Sequence, residues 1–155
     1  MAFIRIQLLN RIFVFYIKKI TNTVGVNNKL KDGKYFLAFD FDDIDLDTLR
    51  LELWFVQKKY SLPTIYIANS GKPKSFHAYC LYRCDFIRMV QIALECPHID
   101  YTFVRFILHR GHATLRIKEK NGRLIKLIDM IKSNVLETVS VNEFNSFTKY
   151  ETGSL

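Results

Sequence analysis

A chain of 155 residues, 49% of them hydrophobic and 25% charged, suits one folded domain with a continuous core and excludes wholesale disorder. With 23 Lys and Arg against 15 Asp and Glu, the formal charge is +8, which favours a polyanionic partner and is silent on fold. The charge is uneven: no acid occurs from Met1 to Lys31, whereas Arg5, Arg11, Lys18, Lys19, Lys29 and Lys31 are basic.

In chain order, the opening Phe3 to Ile20 is apolar but broken by Arg5, Arg11, Lys18 and Lys19. It therefore lacks the roughly 20 uninterrupted apolar residues of a membrane span, and no small-residue cleavage site follows it as in a signal peptide. A packed strand or helix is expected there, with its bases facing nucleic-acid phosphate or solvent. Tyr35 to Asp42 (YFLAFDFD) has strand character. Asp47 is placed to cap a helix running to about Tyr60, with Leu49, Leu53 and Val56 on its buried face. Pro63 to Ala68 and Lys74 to Tyr82 read as paired strands around the turn Asn69-Ser70-Gly71-Lys72-Pro73.

Asp85 opens an amphipathic helix that Pro97 closes, with Phe86, Met89, Val90, Ala93 and Leu94 on one face. Phe103 to Leu108 and Ala113 to Lys118 are expected as strands, and Asn121-Gly122 signals a hairpin before Leu124 to Ile128. The order from Tyr35 to Leu108 is then β-α-β-β-α-β, an α+β fold with the split sheet of RRM-like and ferredoxin-like domains, extended by a hairpin. With no linker or repeat, residues 1–155 read as a single domain: a basic N-terminal element, 1–34, and a motif-bearing core, 35–130.

Cys80, Cys84 and Cys96 are odd in number and irregularly spaced, so a disulfide framework is not expected and a reducing, intracellular setting is. With His98 they raise the question of zinc. The helix between Cys84 and Cys96 would hold those sulfurs roughly 18 Å apart, whereas zinc needs each at about 2.3 Å. No zinc is expected, and the cysteines read as packing residues.

Alternation along Tyr35 to Asp42 directs Tyr35, Leu37, Phe39 and Phe41 to the core and leaves Ala38, Asp40 and Asp42 on the other face. Two carboxylates so spaced can be shared between metal ions about 3.5–4 Å apart, the separation used in two-metal phosphoryl transfer. A calcium loop starting at Asp43 would need Gly and Glu where Thr48 and Trp54 stand. Asp40-Phe41-Asp42 also resembles the D-x-D of haloacid-dehalogenase-like phosphatases, but Ile44 replaces their usual Thr or Val. Ser75-Phe76-His77 follows a Ser-Gly turn, a cluster of donors suited to phosphate, and Ile99-Asp100 follows the amphipathic helix.

Taken in order, Phe39-Asp40-Phe41-Asp42, Ser75-Phe76-His77 and Ile99-Asp100 resemble the h-D-h-D, S-x-H and h-D motifs of the archaeo-eukaryotic primase (primase-polymerase) superfamily. Ser70-Gly71 before the second motif and Tyr79 after it resemble its usual surroundings, and the resemblance spans about Tyr35 to Lys120. It implies a DNA-directed primase or polymerase working in replication, joining nucleoside triphosphates on a single-stranded DNA template, alone or with a helicase or accessory subunit. It further implies that Asp40, Asp42 and Asp100 are catalytic and bind two Mg2+ or Mn2+ ions, and that Ser75 and His77 bind the incoming nucleotide. Thr114-Leu115-Arg116-Ile117-Lys118 resembles the basic stretch after the third motif, which assigns Arg116 and Lys118 to the triphosphate; their alternation also suits a solvated strand face. The alternative without catalysis is a degenerate RRM-like nucleic-acid-binding module in replication, with Phe36 and Tyr66 stacking bases. No membrane partner is expected.

Overall fold

The computed structural model describes residues 2–8, 11–17, 21–117, 122, 124–144 and 147–152. Three antiparallel sheets are formed among them. A hairpin joins β1 (Ala2–Leu8) to β2 (Arg11–Ile17). A three-stranded sheet places β3 (Thr21–Asn27) between β7 (Thr114–Arg116) and β9 (Phe147–Thr152). The third sheet, which carries the candidate site, has the order β4 (Tyr35–Phe41), β6 (Phe76–Cys84), β5 (Ile65–Asn69), β8 (Lys126–Ile131). The protein is thus α+β. No helix among the described residues is long and apolar enough to cross a membrane.

The split β-α-β expected from sequence is present. From β4 the chain passes through α1 (Leu46–Tyr60) to β5, and β6 then turns back between the two strands. The α1 cap is Asp45 rather than Asp47: its carboxylate accepts from the Thr48 amide at 2.9 Å and the Thr48 hydroxyl at 2.7 Å. Leu49, Leu53 and Val56 are buried as their spacing requires. After β6, Asp85 caps α2 (Phe86–Leu94).

The second half departs from expectation. Phe103 to Leu108 is not a strand; it lies in α3 (Tyr101–Arg110), whose buried residues are Phe103, Val104 and Ile107. Aromatic and branched residues favour a strand locally, but Asp100 supplies an N-cap and Gly111, at φ 75°, a left-handed C-terminal stop. The fourth strand of the sheet is instead β8, at the β5 edge, with Ile65 opposite Ile131. No hairpin joins β7 to β8, because β7 pairs with β3 in another sheet. Gly122 turns at φ 76°, whereas Asn121 lies outside the described residues.

One apolar cluster unites these parts. It includes Leu37, Phe39 and Phe41 of β4, Leu49 and Leu53 of α1, Met89 and Ile92 of α2, Ile107 of α3, and Val26 and Leu115 of the smaller sheet. Both faces of β4 are covered: Phe36 and Ala38, expected on the open side, are buried, and Phe36 stacks on Phe144 at 4.9 Å between centroids. In α2 the buried face is Met89, Ile92 and Ala93, with Phe86 and Val90 partly buried and Leu94 49% exposed. The face is set by what α2 packs on, chiefly β4 with α3 beside it. Ile92→Ala should cost about 2–5 kcal/mol by urea melting. Leu94→Ala should stay within about 0.5 kcal/mol; equal losses would contradict this facing.

The buried Asn28 ties the smaller sheet to the larger. Its amide nitrogen donates to the Phe36 carbonyl and its carbonyl oxygen accepts from the Ala113 amide, each at 2.8 Å. This clamp sets the start of β7, and hence Arg116, beside the motif-bearing strands.

Candidate functional site

Antiparallel pairing of β4 with β6 places Asp40 directly opposite His77, and His77 is in turn opposite Ala68 of β5. The imidazole Nε2 stands 3.7 Å from an Asp40 carboxylate oxygen. Ile99 bridges to Phe41 along the free side of β4, and the Asp100 amide donates to the Asp40 carbonyl at 2.8 Å. Asp40 and Asp100, 60 positions apart in the chain, thereby become neighbours through a main-chain bond. Asp42 follows the strand and is exposed; Asp43 turns at φ 57°. The Ile44 amide donates to the Lys74 carbonyl at 3.1 Å, which fastens the acidic turn to the β5–β6 turn.

The electrostatics follow from that packing. Burial, with the charges of Asp42 and Asp100 added, pushes the Asp40 carboxyl up to about 7; Lys72 opposes the rise. Burial, reinforced by the positive Arg116, brings His77 down to about 4, while the Arg116 main chain and the Asp42 carboxylate oppose the fall. At neutral pH His77 is a neutral hydrogen-bonding group.

Among the other residues singled out in the sequence, Ser75 is buried. Its hydroxyl lies 3.5 Å from the Pro73 carbonyl, which it faces as donor, and its own carbonyl accepts from the Ser70 amide at 2.9 Å. Arg116 donates from Nη2 to the Ser70 carbonyl, so β7 grips the same turn. Asp40, Asp42, Asp100, His77 and Arg116 are thus gathered at one end of the four-stranded sheet; Lys118 lies outside the described residues. Sequence reasoning missed Lys72. Its signal was the turn itself, since a hairpin loop between β5 and β6 must overhang the strand end that bears Asp40.

The donor chemistry fits a hard divalent cation: three carboxylates, one held strongly against ionisation by burial and then by its acidic neighbours. Asp100 uses one oxygen to cap α3, accepting from the Thr102 amide at 2.8 Å. Among the described residues, no three His, Cys, Asp or Glu side chains are drawn together closely enough to hold a metal ion. The acids are therefore adjacent but not gathered at ligating distance.

The three cysteines are buried free thiols, and burial raises each to about 12. Cys80 and Cys84 point their sulfurs at the carbonyls of Pro63 and Tyr35, each 3.7 Å away, and His98 contacts Glu52. Compared with protein-family models, curated proteins and solved structures, the chain matches none.

Proposed function

We propose that this protein is a nucleotidyltransferase of the primase-polymerase type, extending nucleic acid on a single-stranded DNA template from nucleoside triphosphates. The observation that carries the proposal is the meeting of its three motifs: Asp40 lies opposite His77 across the sheet and is joined to Asp100 through main chain. The RRM-like split sheet of the primase-polymerase family is compatible with the β4-α1-β5 unit and its inserted β6, although the fourth strand here lies beside β5.

Asp40, Asp42 and Asp100 would hold magnesium or manganese, which when bound lowers the pKa of the attacking 3′-hydroxyl and stabilises the departing pyrophosphate. The remaining work belongs to the chain. His77, neutral and buried, donates to a phosphate oxygen without adding charge to an already crowded site. Arg116 and Lys72 supply the positive charge that the triphosphate requires, the guanidinium offering paired donors. Clustered on one sheet end, these groups align the α-phosphate with the primer terminus, where positioning and charge stabilisation supply most of the rate.

The binding-module alternative is weakened, because Phe36, one of its two stacking residues, is buried. Tyr66 is half-buried, and its hydroxyl donates to Glu137 at 2.6 Å.

The test is extension of a labelled primer on single-stranded template with ribo- or deoxynucleoside triphosphates, and magnesium or manganese. Extension by the parent protein is expected. His77→Ala should weaken triphosphate binding about ten- to hundredfold, the range for a hydrogen bond to a charged partner. Metal affinity should stay near the parent's. No extension under any metal and nucleotide would overturn the proposal, and loss of metal binding in His77→Ala would make His77 a ligand instead.

A further inference from the structure

On β6 the two-residue period puts His77 and Tyr79 on the same side, about 6.7 Å apart along the strand. Their rings meet edge to face, with centroids 6.4 Å apart and planes at 86°. The Tyr79 hydroxyl lies 3.4 Å from His77 Nδ1, while the opposite ring nitrogen, Nε2, is the one beside Asp40. Each has an alanine on one side: Tyr79 pairs across to Ala38 on β4 and to Tyr66 on β5, and His77 to Ala68 on β5 and to Asp40 on β4.

A neutral imidazole has one N–H and one bare nitrogen, and the partner of either nitrogen selects between the two tautomers. A phenol keeps its proton at neutral pH, so it can donate to a bare nitrogen. We infer that Tyr79 is a positioning residue whose hydroxyl donates to His77 Nδ1 and thereby leaves the imidazole proton on Nε2, facing the carboxylate cluster. Tyr79 touches no reacting atom; it acts through His77. Its consequence for nucleotide rests on the reading given above: an N–H on Nε2 meets a phosphate oxygen as a donor, whereas a bare Nε2 meets it lone pair to lone pair.

The experiment uses the full chain. Long-range 1H–15N correlation spectra of protein labelled at histidine nitrogen assign the His77 tautomer directly, without reference to activity. The parent should show the proton on Nε2. Tyr79→Phe keeps the ring and removes only the hydroxyl; it should melt with the parent and show a mixture of tautomers. Tyr66→Phe, which removes the hydroxyl across the strand that binds Glu137, should leave His77 unchanged. Titrated with magnesium-ATP, Tyr79→Phe should bind about three- to tenfold more weakly than the parent, the range for one lost hydrogen bond.

A parent proton on Nδ1 would overturn the inference. So would an unaltered tautomer in Tyr79→Phe, or unaltered magnesium-ATP affinity in a Tyr79→Phe protein whose tautomer has shifted. If the parent itself fails to bind magnesium-ATP, the nucleotide reading of the site falls, and the spectra still decide the Tyr79–His77 contact.

Discussion

Asp40→Asn is expected to raise the melting temperature of the metal-free protein while reducing primer extension by at least about a thousandfold. The loss follows from removing a carboxylate proposed to hold metal, since charge stabilisation at such a centre is worth several kcal/mol. The gain in stability follows from the cost of ionising Asp40 where it is buried and beside Asp42 and Asp100. Its folded pKa of about 7 lies above the ordinary 3.8, so between those values the folded chain binds more protons than the unfolded one. Stability then falls as pH rises through that window, and the penalty is fully expressed above it. A shift of this size corresponds to about 4 kcal/mol at most. The side chain is 26% exposed, and water recovers part of that cost, so a gain of about 1–3 kcal/mol above pH 7 is the expectation. For a chain of this length that is roughly 2–12 °C.

His77 has the opposite slope. Its folded pKa of about 4 lies below the ordinary 6.5, so its contribution is complete above 6.5 and is lost as pH falls toward 4. In the parent the two slopes oppose each other over pH 4–6.5; in Asp40→Asn the rise due to His77 should stand alone. Melting curves across pH 4–8 without divalent metal check both points. An Asp40→Asn protein that melts below the parent at pH 8 would show that the carboxylate carries no such burden.

Phe41→Ala should give the largest destabilisation, about 3–5 kcal/mol, as for a fully buried aromatic truncated to Ala. Phe41 has no exposed surface, stacks near Phe39 at 6.3 Å between centroids, and pairs with Phe76 on one side and Ile99 on the other. Phe41 therefore sits between Asp40 and Asp42 in the chain and bridges through main chain to the residue before the third acid. Urea titration should show the loss as a lower midpoint, and magnesium binding should weaken with it. A protein with parental stability would mean that the cavity closes without cost, which a packed interior does not permit.

Local chemistry made much of this fold legible. Asp85 before an apolar 3.6-residue pattern marks α2, and the spacing of Leu49, Leu53 and Val56 marks the buried side of α1. Strand alternation and motif order single out Asp40 and His77, but their pairing follows only from the register of β4 on β6. What failed was long-range. Phe103, Val104 and Ile107 suit a strand by type, and only their bracketing by Asp100 and Gly111 shows a helix. Nothing local to Leu127 or Ile131 tells that this segment joins β5, more than sixty residues earlier, in preference to β7. Lys72 escaped notice for the same reason, since its proximity to Asp40 depends on the register between β5, β6 and β4. The α2 face differs at Leu94 because a helix buries what its packing partners cover, here β4 and α3, and its own periodicity does not include them.

The bond from the Asp100 amide to the Asp40 carbonyl joins peptide groups, which every residue other than proline carries on both sides. Exposed side chains along residues 85–98 can therefore drift through many generations without moving the third acid away from the first. Only two changes break the joint directly: a proline at position 100, or a shift in length that carries Ile99 past Phe41. Descendants of this chain should thus vary freely on the exposed face of α2, stay apolar at Met89, Ile92 and Ala93, and hardly vary in the number of residues between its end and Asp100.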